Sequence, residues 1–298
     1  MLLKPPERFF NRNEFHSLAG NDKPLAVVRV KEKKTLGKLH YHDFFELAMV
    51  TAGHGFYKDE EREYQLSSGD VFLLRPGMPH HYVRQTHLAV TNIIWLEDEL
   101  QLPLYDLSAT SGYHAFFELE PIIRTRSRVR HYLHLNTEQL AQVETLTRHL
   151  EKELKGYDSG AMLMAAGLFS QLLVFICRCY AGTTSGRQAE LLQLDRVVVY
   201  IRQHYMHQIS GKQLAYVAAM SESTLYRHFV ATFGKSPTAF LIEQRLRHAE
   251  ELLRQSDMKL MEIATACGFY DGNYFCTVFK RFYGITPRHY RLNSRQNK

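Results

Sequence analysis

The first hundred residues contain short runs in which apolar and polar side chains alternate with a period of two. Turn-forming residues, among them Gly53-His54-Gly55 and Pro76-Gly77-Met78-Pro79, separate several of these runs. Many short strands at such spacing predict a small antiparallel β-barrel or jelly roll. The predicted strands are Leu25–Val30, Phe45–Thr51, Phe56–Lys58, Tyr64–Leu66, Val71–Leu74, His81–Arg84 and Ala89–Trp95.

The period then changes to that of an α-helix. Apolar residues recur every three or four positions from Leu140 to Leu154, after the capping candidates Asn136 and Thr137. A second predicted helix, from about Ser159 to Tyr180, is apolar nearly all round and therefore buried on most sides. Its length is borderline for a membrane span, but polar residues interrupt it, which favours a core helix and no membrane. Its excess of apolar surface predicts a homodimer through residues 137–180.

The remaining chain is helical in period and follows a glycine-rich segment that begins at Ala181. A chain of 298 residues fits two domains, each large enough for its own core. We therefore predict a two-domain α+β protein. Residues 1–180 form the β-barrel with its helical dimerisation element, 181–190 form a linker, and 191–292 form an all-α domain.

The all-α domain contains an internal repeat with an offset of 49 or 50 residues. Each copy predicts a short helix, a tight turn and a second helix, so the units lie at about 211–233 and 260–283. Ser221 and Asp271 are candidate caps for the second helices, and Gly234 and Gly284 end them. Matching apolar stripes bury one face of each second helix: Leu225, Phe229 and Phe233 in the first copy, Phe275, Phe279 and Tyr283 in the second.

The positive charge of the chain is concentrated in this repeat. The net charge is +6, and from residue 190 onward there are 15 Lys and Arg against 9 Asp and Glu. The rest of the chain is balanced, with 22 of each. Either a solvated basic face or an anionic partner such as DNA accounts for this.

The outward positions of the second helices favour DNA. Their side chains donate to phosphates and base edges. They include Ser223, Tyr226 and Arg227 in the first copy, and Gly272, Asn273, Tyr274, Thr277 and Lys280 in the second.

At this point the sequence resembles a known family. Arg245-Leu246-x-x-Ala249, Ile263-Ala264-x-x-Cys267-Gly268-Phe269 and the run from Asn273 to Arg291 are similar to the AraC/XylS signature, over about residues 191–292. The resemblance implies a bacterial transcription regulator, more often an activator, that acts on promoter DNA and RNA polymerase. It also implies that Ser223, Tyr226, Arg227, Asp271, Gly272, Asn273 and Tyr274 face bases. Ala219 departs from the family, which often has glycine in the first turn.

The predicted barrel carries clustered histidines. His40-Tyr41-His42 with Glu46 resembles the first cupin motif, and Gly69-Asp70 with a later His80 resembles the second. Residues 40, 42 and 46 share a face of a strand, so they form a plausible first-row metal set with His80. A metal-dependent cupin enzyme fused to a DNA-binding domain is therefore the rival hypothesis. The glycine expected before this motif is Lys34.

We favour a small effector over a metal in this barrel, and predict no cofactor. The segment 89–95 resembles the sensor domains of rhamnose-type sugar regulators, and a carbohydrate suits polar and aromatic side chains. Satisfied structural histidines and a non-sugar effector linked to stress or virulence remain alternatives. The predicted effector contacts are His40, His42, Glu46, His80, Tyr82 and Asn92.

Other classes find no support in the sequence. It contains no nucleophile elbow, phosphate-binding loop or dinucleotide-binding glycine pattern. Cys177 and Cys179 lie on the buried helix and are expected to pack rather than to react. Residues 1–13 carry charges and no apolar stretch, so they do not read as a secretory signal and the cytoplasm is the expected compartment.

Overall fold

The computed structural model describes residues 8–20, 22–31, 39–59, 62–100, 107, 109–121, 124, 132–183 and 186–296. Lys34, where the cupin-like motif departs from its pattern, lies outside these residues. The chain forms two compact units, 1–192 and 193–298, and the division falls inside one helix. The N-terminal unit combines strands with helices, and the C-terminal unit is helical throughout. This agrees with the predicted two-domain class.

The N-terminal unit contains eight described strands. Three-residue strands β1 and β3 pair in parallel, and the other six form an antiparallel sheet in the order β2-β7-β4-β6-β8, with β5 on β4. The bounds are β1 (Arg8–Phe10), β2 (Leu25–Lys31), β3 (His40–His42), β4 (Phe45–Lys58), β5 (Glu63–Ser67), β6 (Asp70–Leu74), β7 (His81–Trp95) and β8 (Leu133–His134).

The prediction of a barrel was wrong in one respect, because the sheet is not closed. Among the described residues, no pairing joins β2 to β8 at its two ends. The predicted turn at Gly53 was also wrong: β4 runs through it as one strand. Gly53 has φ +73°, and a Cβ there would lie 2.1 Å from the carbonyl oxygen of His87. His87, on the paired strand β7, is also in left-handed conformation, at φ +50°. Irregularities on both strands therefore bend β4 and β7, each of which the sequence had predicted as two separate strands.

The concave side of the sheet is apolar in its interior. Alternate residues of β4, β6 and β7 point there because side chains alternate along a strand. The buried cluster consists of Ala48, Val50, Tyr57, Tyr64, Leu66, Phe72, Leu74, Tyr82, Leu88, Val90 and Tyr132.

Two helices follow the sheet, α2 (Thr137–Lys155) and α3 (Ala161–Ala181). The short helix α1 (Arg12–Ala19) lies between β1 and β2, and a π-helical segment (His114–Leu119) lies between β7 and β8. Asn136 caps α2 as predicted. Phe169 of α3 packs against Trp95, with ring centroids 5.2 Å apart. Lys23, which precedes β2, donates to the carbonyls of Leu154 and Gly156 at the end of α2. These contacts therefore anchor both α2 and α3 to the N-terminal unit that contains the sheet.

Helix α3 is the one described helix long and apolar enough to cross a membrane by length and composition. Nine of its residues are buried within the unit, including Ala165, Phe169 and Ile176. It therefore serves as a core helix, in agreement with the prediction. In the predicted linker, 181–190, Ala181 ends α3 and residues 186–190 begin the next helix.

The C-terminal unit contains the predicted repeat. Its helices are α4 (Gly186–His204, shared with the first unit), α5 (Gly211–Val217), α6 (Glu222–Phe233), α7 (Pro237–Gln255), α8 (Leu260–Ala266), α9 (Gly272–Tyr283) and α10 (Pro287–Gln296). Ser221 and Asp271 cap α6 and α9, and Gly234 and Gly284 end them in left-handed conformation. These predictions are confirmed. Phe229, Phe275 and Phe279 are fully buried, so the two apolar stripes form the cores of the units.

Candidate functional site

A cavity of about 280 Å³ opens between β1, β2, β3, β4, β7 and α1. Four of the six predicted effector residues line it: His40, His42, Glu46 and Asn92. Except for the half-buried His40, these side chains are buried. The cavity walls are otherwise mostly apolar, formed by Phe10, Leu18, Val28, Val30, Phe44 and Ile94. A cavity with apolar walls and a few converging polar groups is typical of a small-molecule site.

His42 and Glu46 of the cavity lining come together with His80. One ligand-type atom from each lies within 4.8 Å of the other two, and all three residues are buried. His42 Nε2 lies 3.3 Å from Glu46 Oε2. His42 is oriented by a parallel stack on Phe44, with ring centroids 4.3 Å apart.

The other two predicted residues, His80 and Tyr82, do not line the cavity. His80 forms an isolated β-bridge with His40, and their rings lie 4.2 Å apart. Burial lowers the pKa of His80 well below its usual range, and the His40 and His42 rings act in the same direction, so His80 is neutral at pH 7. Burial raises the pKa of Tyr82 well above its usual range, with a contribution from Glu46. Tyr82 belongs to the concave core rather than to the cavity lining.

Sequence reasoning missed the N-terminal wall of the cavity. Phe10 comes from β1, which pairs with β3 so that Phe10 faces His42, and Leu18 comes from α1. The available signal was the capping box at Asn11 and Glu14, followed by Gly20 as a left-handed end, which together mark a short helix.

A buried ion pair lies deeper in the concave interior and was also missed. Arg124 is 1% exposed, donates to the carbonyl of Leu73, and lies over the rings of Tyr57 and Phe72. Glu120 lies 3.5 Å from it, and burial raises the pKa of Glu120 to about 7 against the opposing effect of Arg124. This buried pair is therefore a polar element within an otherwise aromatic and aliphatic interior.

The C-terminal unit presents its polar groups outward. In α6, Ser223, Tyr226 and Arg227 are all exposed, with Tyr226 at 57%. The Arg227 guanidinium lies 3.4 Å from His228 Nε2. It has no acidic partner among the residues the structure describes. Its guanidinium is available to an external acceptor.

In α9 the same surface is formed by Asn273, Tyr274, Thr277 and Lys280, which are exposed as predicted. Asp271 is exposed but also caps the helix, because it accepts from the backbone N–H of Asn273 at 2.7 Å. Gly272 differs from its neighbours: it is buried, and a Cβ there would lie 2.1 Å from Met261 Sδ. Its predicted place among base-facing residues has no support, since Met261 covers it.

The two units match known families. Residues 33–173 match the family described as AraC-like ligand binding domain, and residues 214–293 match the family described as Helix-turn-helix domain. The first match contains all six predicted effector residues. The second contains the second helix of each repeat unit, α6 and α9.

Curated relatives extend over most of the chain. The HTH-type transcriptional activator RhaR of Escherichia coli O139:H28 is 30% identical over 279 residues, covering 93% of this chain and 95% of that protein. The RhaR of Enterobacter sp. (strain 638) is 28% identical, covering 86% and 88%. The HTH-type transcriptional activator RhaS of Salmonella arizonae is 29% identical, covering 85% and 86%.

Proposed function

The chain belongs to the AraC family of transcription regulators, and from this we propose that it activates transcription when a carbohydrate binds the N-terminal cavity. It is a DNA-binding regulator and not an enzyme, so the hypothesis of a catalytic cupin is dropped. Relatives that align along most of the chain are named transcriptional activators. We extend the activator role in those names to this chain.

The cavity is the observation that carries the proposal for the effector. At about 280 Å³ it lies at the small end of ligand sites, which favours a molecule of monosaccharide size. His40, His42, Glu46 and Asn92 offer hydroxyl partners at its wall, while Phe10 and Phe44 cover an apolar face. His80 lies beside His42 and Glu46, and Tyr82 packs in the buried core of the same sheet. A rhamnose-like sugar is the first candidate because of the resemblance of segment 89–95.

The DNA surface is proposed to consist of the exposed residues of α6 and α9. Arg227 and Lys280 supply positive charge, and Ser223, Tyr226, Asp271, Asn273, Tyr274 and Thr277 supply polar contacts. The two helices would enter successive major-groove segments of promoter DNA. RNA polymerase is the expected partner for an activator, and the cytoplasm is the expected location.

We further propose a homodimer through α2 and α3. Leu163 and Met164 are 80% and 56% exposed on the outer face of α3. A groove between α2 and α3 is lined by Gln142, Leu146, Ser170, Gln171, Val174, Phe175 and Arg178. Sedimentation velocity of the full chain tests this: the wild type should be dimeric and Met164→Glu should be monomeric. A wild type that is monomeric at high micromolar concentration contradicts it.

The effector proposal is tested by thermal unfolding of the full chain against a panel of aldoses. One sugar should raise the Tm of the wild type in a concentration-dependent way. His42→Ala and Glu46→Ala should remove this response, whereas His54→Ala, at an exposed position of β4, should retain it. Equal responses in all three variants would place the sugar elsewhere.

A further inference from the structure

The hydrogen bonds of His42 determine which of its nitrogens faces the cluster with Glu46 and His80. His42 Nδ1 lies 2.7 Å from the carbonyl oxygen of Phe44. A carbonyl only accepts, so Nδ1 carries a proton, and Nε2 is the nitrogen directed at the cluster. Nε2 is buried and has no hydrogen-bond partner among the described residues.

His80 is held in the same way. Its Nδ1 lies 3.2 Å from the carbonyl oxygen of Met78, and its backbone is fixed by two hydrogen bonds with His40. The Nδ1 proton is therefore directed to the backbone, which leaves Nε2 as the ligand-type nitrogen. A backbone carbonyl on the far nitrogen of each ring is the arrangement that orients imidazoles toward metal ions.

Glu46 brings a carboxylate to the same place. Its Oε2 lies 3.3 Å from His42 Nε2, and both side chains are buried. The second carboxylate oxygen, Oε1, is also buried and lacks a hydrogen-bond partner within the described chain. Buried polar atoms without a partner are unfavourable, and a cation bound between the two side chains would supply one.

We propose that His42 Nε2, Glu46 and His80 Nε2 bind a divalent transition-metal ion at the end of the effector cavity. Two imidazoles and one carboxylate suit zinc or a neighbouring first-row ion better than calcium or magnesium. One ligand-type atom of each residue lies within 4.8 Å of those of the other two. An ion about 2.1 Å from each requires them to close by roughly 1 Å, which side-chain rotations supply.

The ion would serve the sensor and not catalysis. Three protein ligands leave at least one coordination position open, and His42 and Glu46 also line the cavity. The open position therefore faces the effector, and a pair of sugar hydroxyls is the ligand class that fits it. This second step rests on the proposed function, whereas binding of the metal alone does not.

The first test uses Co²⁺ as the probe and the full chain. After chelation and dialysis, the wild type should bind about one Co²⁺ per chain and show visible d–d bands of low-symmetry coordination. Glu46→Gln and His80→Asn keep size and polarity but remove a ligand, so each should weaken Co²⁺ binding by more than about 100-fold. His54→Asn, an exposed histidine on β4, should bind as the wild type does. Circular dichroism checks that the variants are folded.

Two outcomes overturn the metal site. The first is a wild type that binds no Co²⁺, in which case a proton or a water molecule lies between Glu46 and His42. The second is that Glu46→Gln and His80→Asn bind Co²⁺ as tightly as the wild type does.

Sugar titrations of metal-free and Zn²⁺-loaded wild type then test the second step. Binding at least 10-fold tighter in the loaded form supports it, and equal binding contradicts it. If no sugar binds either form while Co²⁺ does, the effector proposal fails and the metal site remains.

Discussion

The two helix-turn-helix units share a fold but differ at their turns. The turn hydrogen bonds are the same at an offset of 49: Met220 N–H donates to Ala215, and Phe269 N–H donates to Ala264. Yet the left-handed position is Ala219 in the first turn, at φ +51°, and Gly268 in the second, at φ +80°. The common backbone is therefore set by helix caps and apolar stripes, not by one required turn residue.

The surroundings of the turns explain the difference. A Cβ at Gly268 would lie 2.7 Å from the carbonyl oxygen of Tyr205 and 2.8 Å from that of Met206. Arg245 holds this segment in place by donating to the carbonyls of Tyr205 and His207. The second turn thus has no room for a side chain, whereas the first accommodates a methyl group at the cost of backbone strain.

The largest expected effect comes from Gly268→Ala. Left-handed strain and overlap with fixed backbone oxygens should together destabilise the C-terminal unit by about 3 kcal/mol, measured by urea unfolding. Gly234→Ala is the matched control, because it shares the left-handed conformation, at φ +70°, but has no atom within 4 Å of its new Cβ. Equal losses in the two variants would show that the crowding at Gly268 has no energetic weight.

The outward faces should differ as well. Arg227 of α6 is exposed without an acidic partner in the described chain, so Arg227→Ala should cost about 1–3 kcal/mol on a selected DNA site and less on random duplex. Fluorescence anisotropy with both duplexes measures this. An equal loss on both would make Arg227 a phosphate contact.

Lys280 lies near the end of α9 and offers a flexible point charge. Lys280→Ala should weaken selected and random duplexes alike and reduce the salt dependence of log K by about 1. Binding isotherms at several salt concentrations give the slope. Loss confined to the selected site would instead assign base readout to this lysine.

The smallest expected effect is that of Ala219→Gly. Relief of left-handed strain should exceed the entropic cost of glycine, for a net stabilisation of about 0.5–1 kcal/mol. Urea unfolding of the same unit checks the sign. A destabilisation would indicate that the strain at Ala219 is absent in solution.

The sequence predicted the repeat well because its signals are local. Caps such as Ser221 and Asp271 and stripes such as Leu225 and Phe229 each depend on neighbours within a few residues. Burial of Gly272 was not predictable in this way, because it depends on Met261 from the preceding helix.

The N-terminal unit was harder to predict because its site depends on distant pairings. Alternation identified the strand residues His42, Glu46 and Asn92, but three residues in β1 carry no periodic signal, so Phe10 was missed. Glycine at position 53 is compatible with a turn or a bulge, and only pairing with β7 distinguishes them. Closure of the sheet likewise depends on strands far apart in the chain.

The central claim is that occupation of the N-terminal cavity controls DNA binding by α6 and α9. The most direct measurement is the affinity of full-length protein for a selected duplex, with and without the sugar that raises its Tm. We expect the sugar to change the wild-type Kd by at least about 5-fold, the usual lower range of allosteric coupling. Glu46→Gln should bind DNA normally and show no such change. The same Kd with and without sugar in the wild type would contradict the claim.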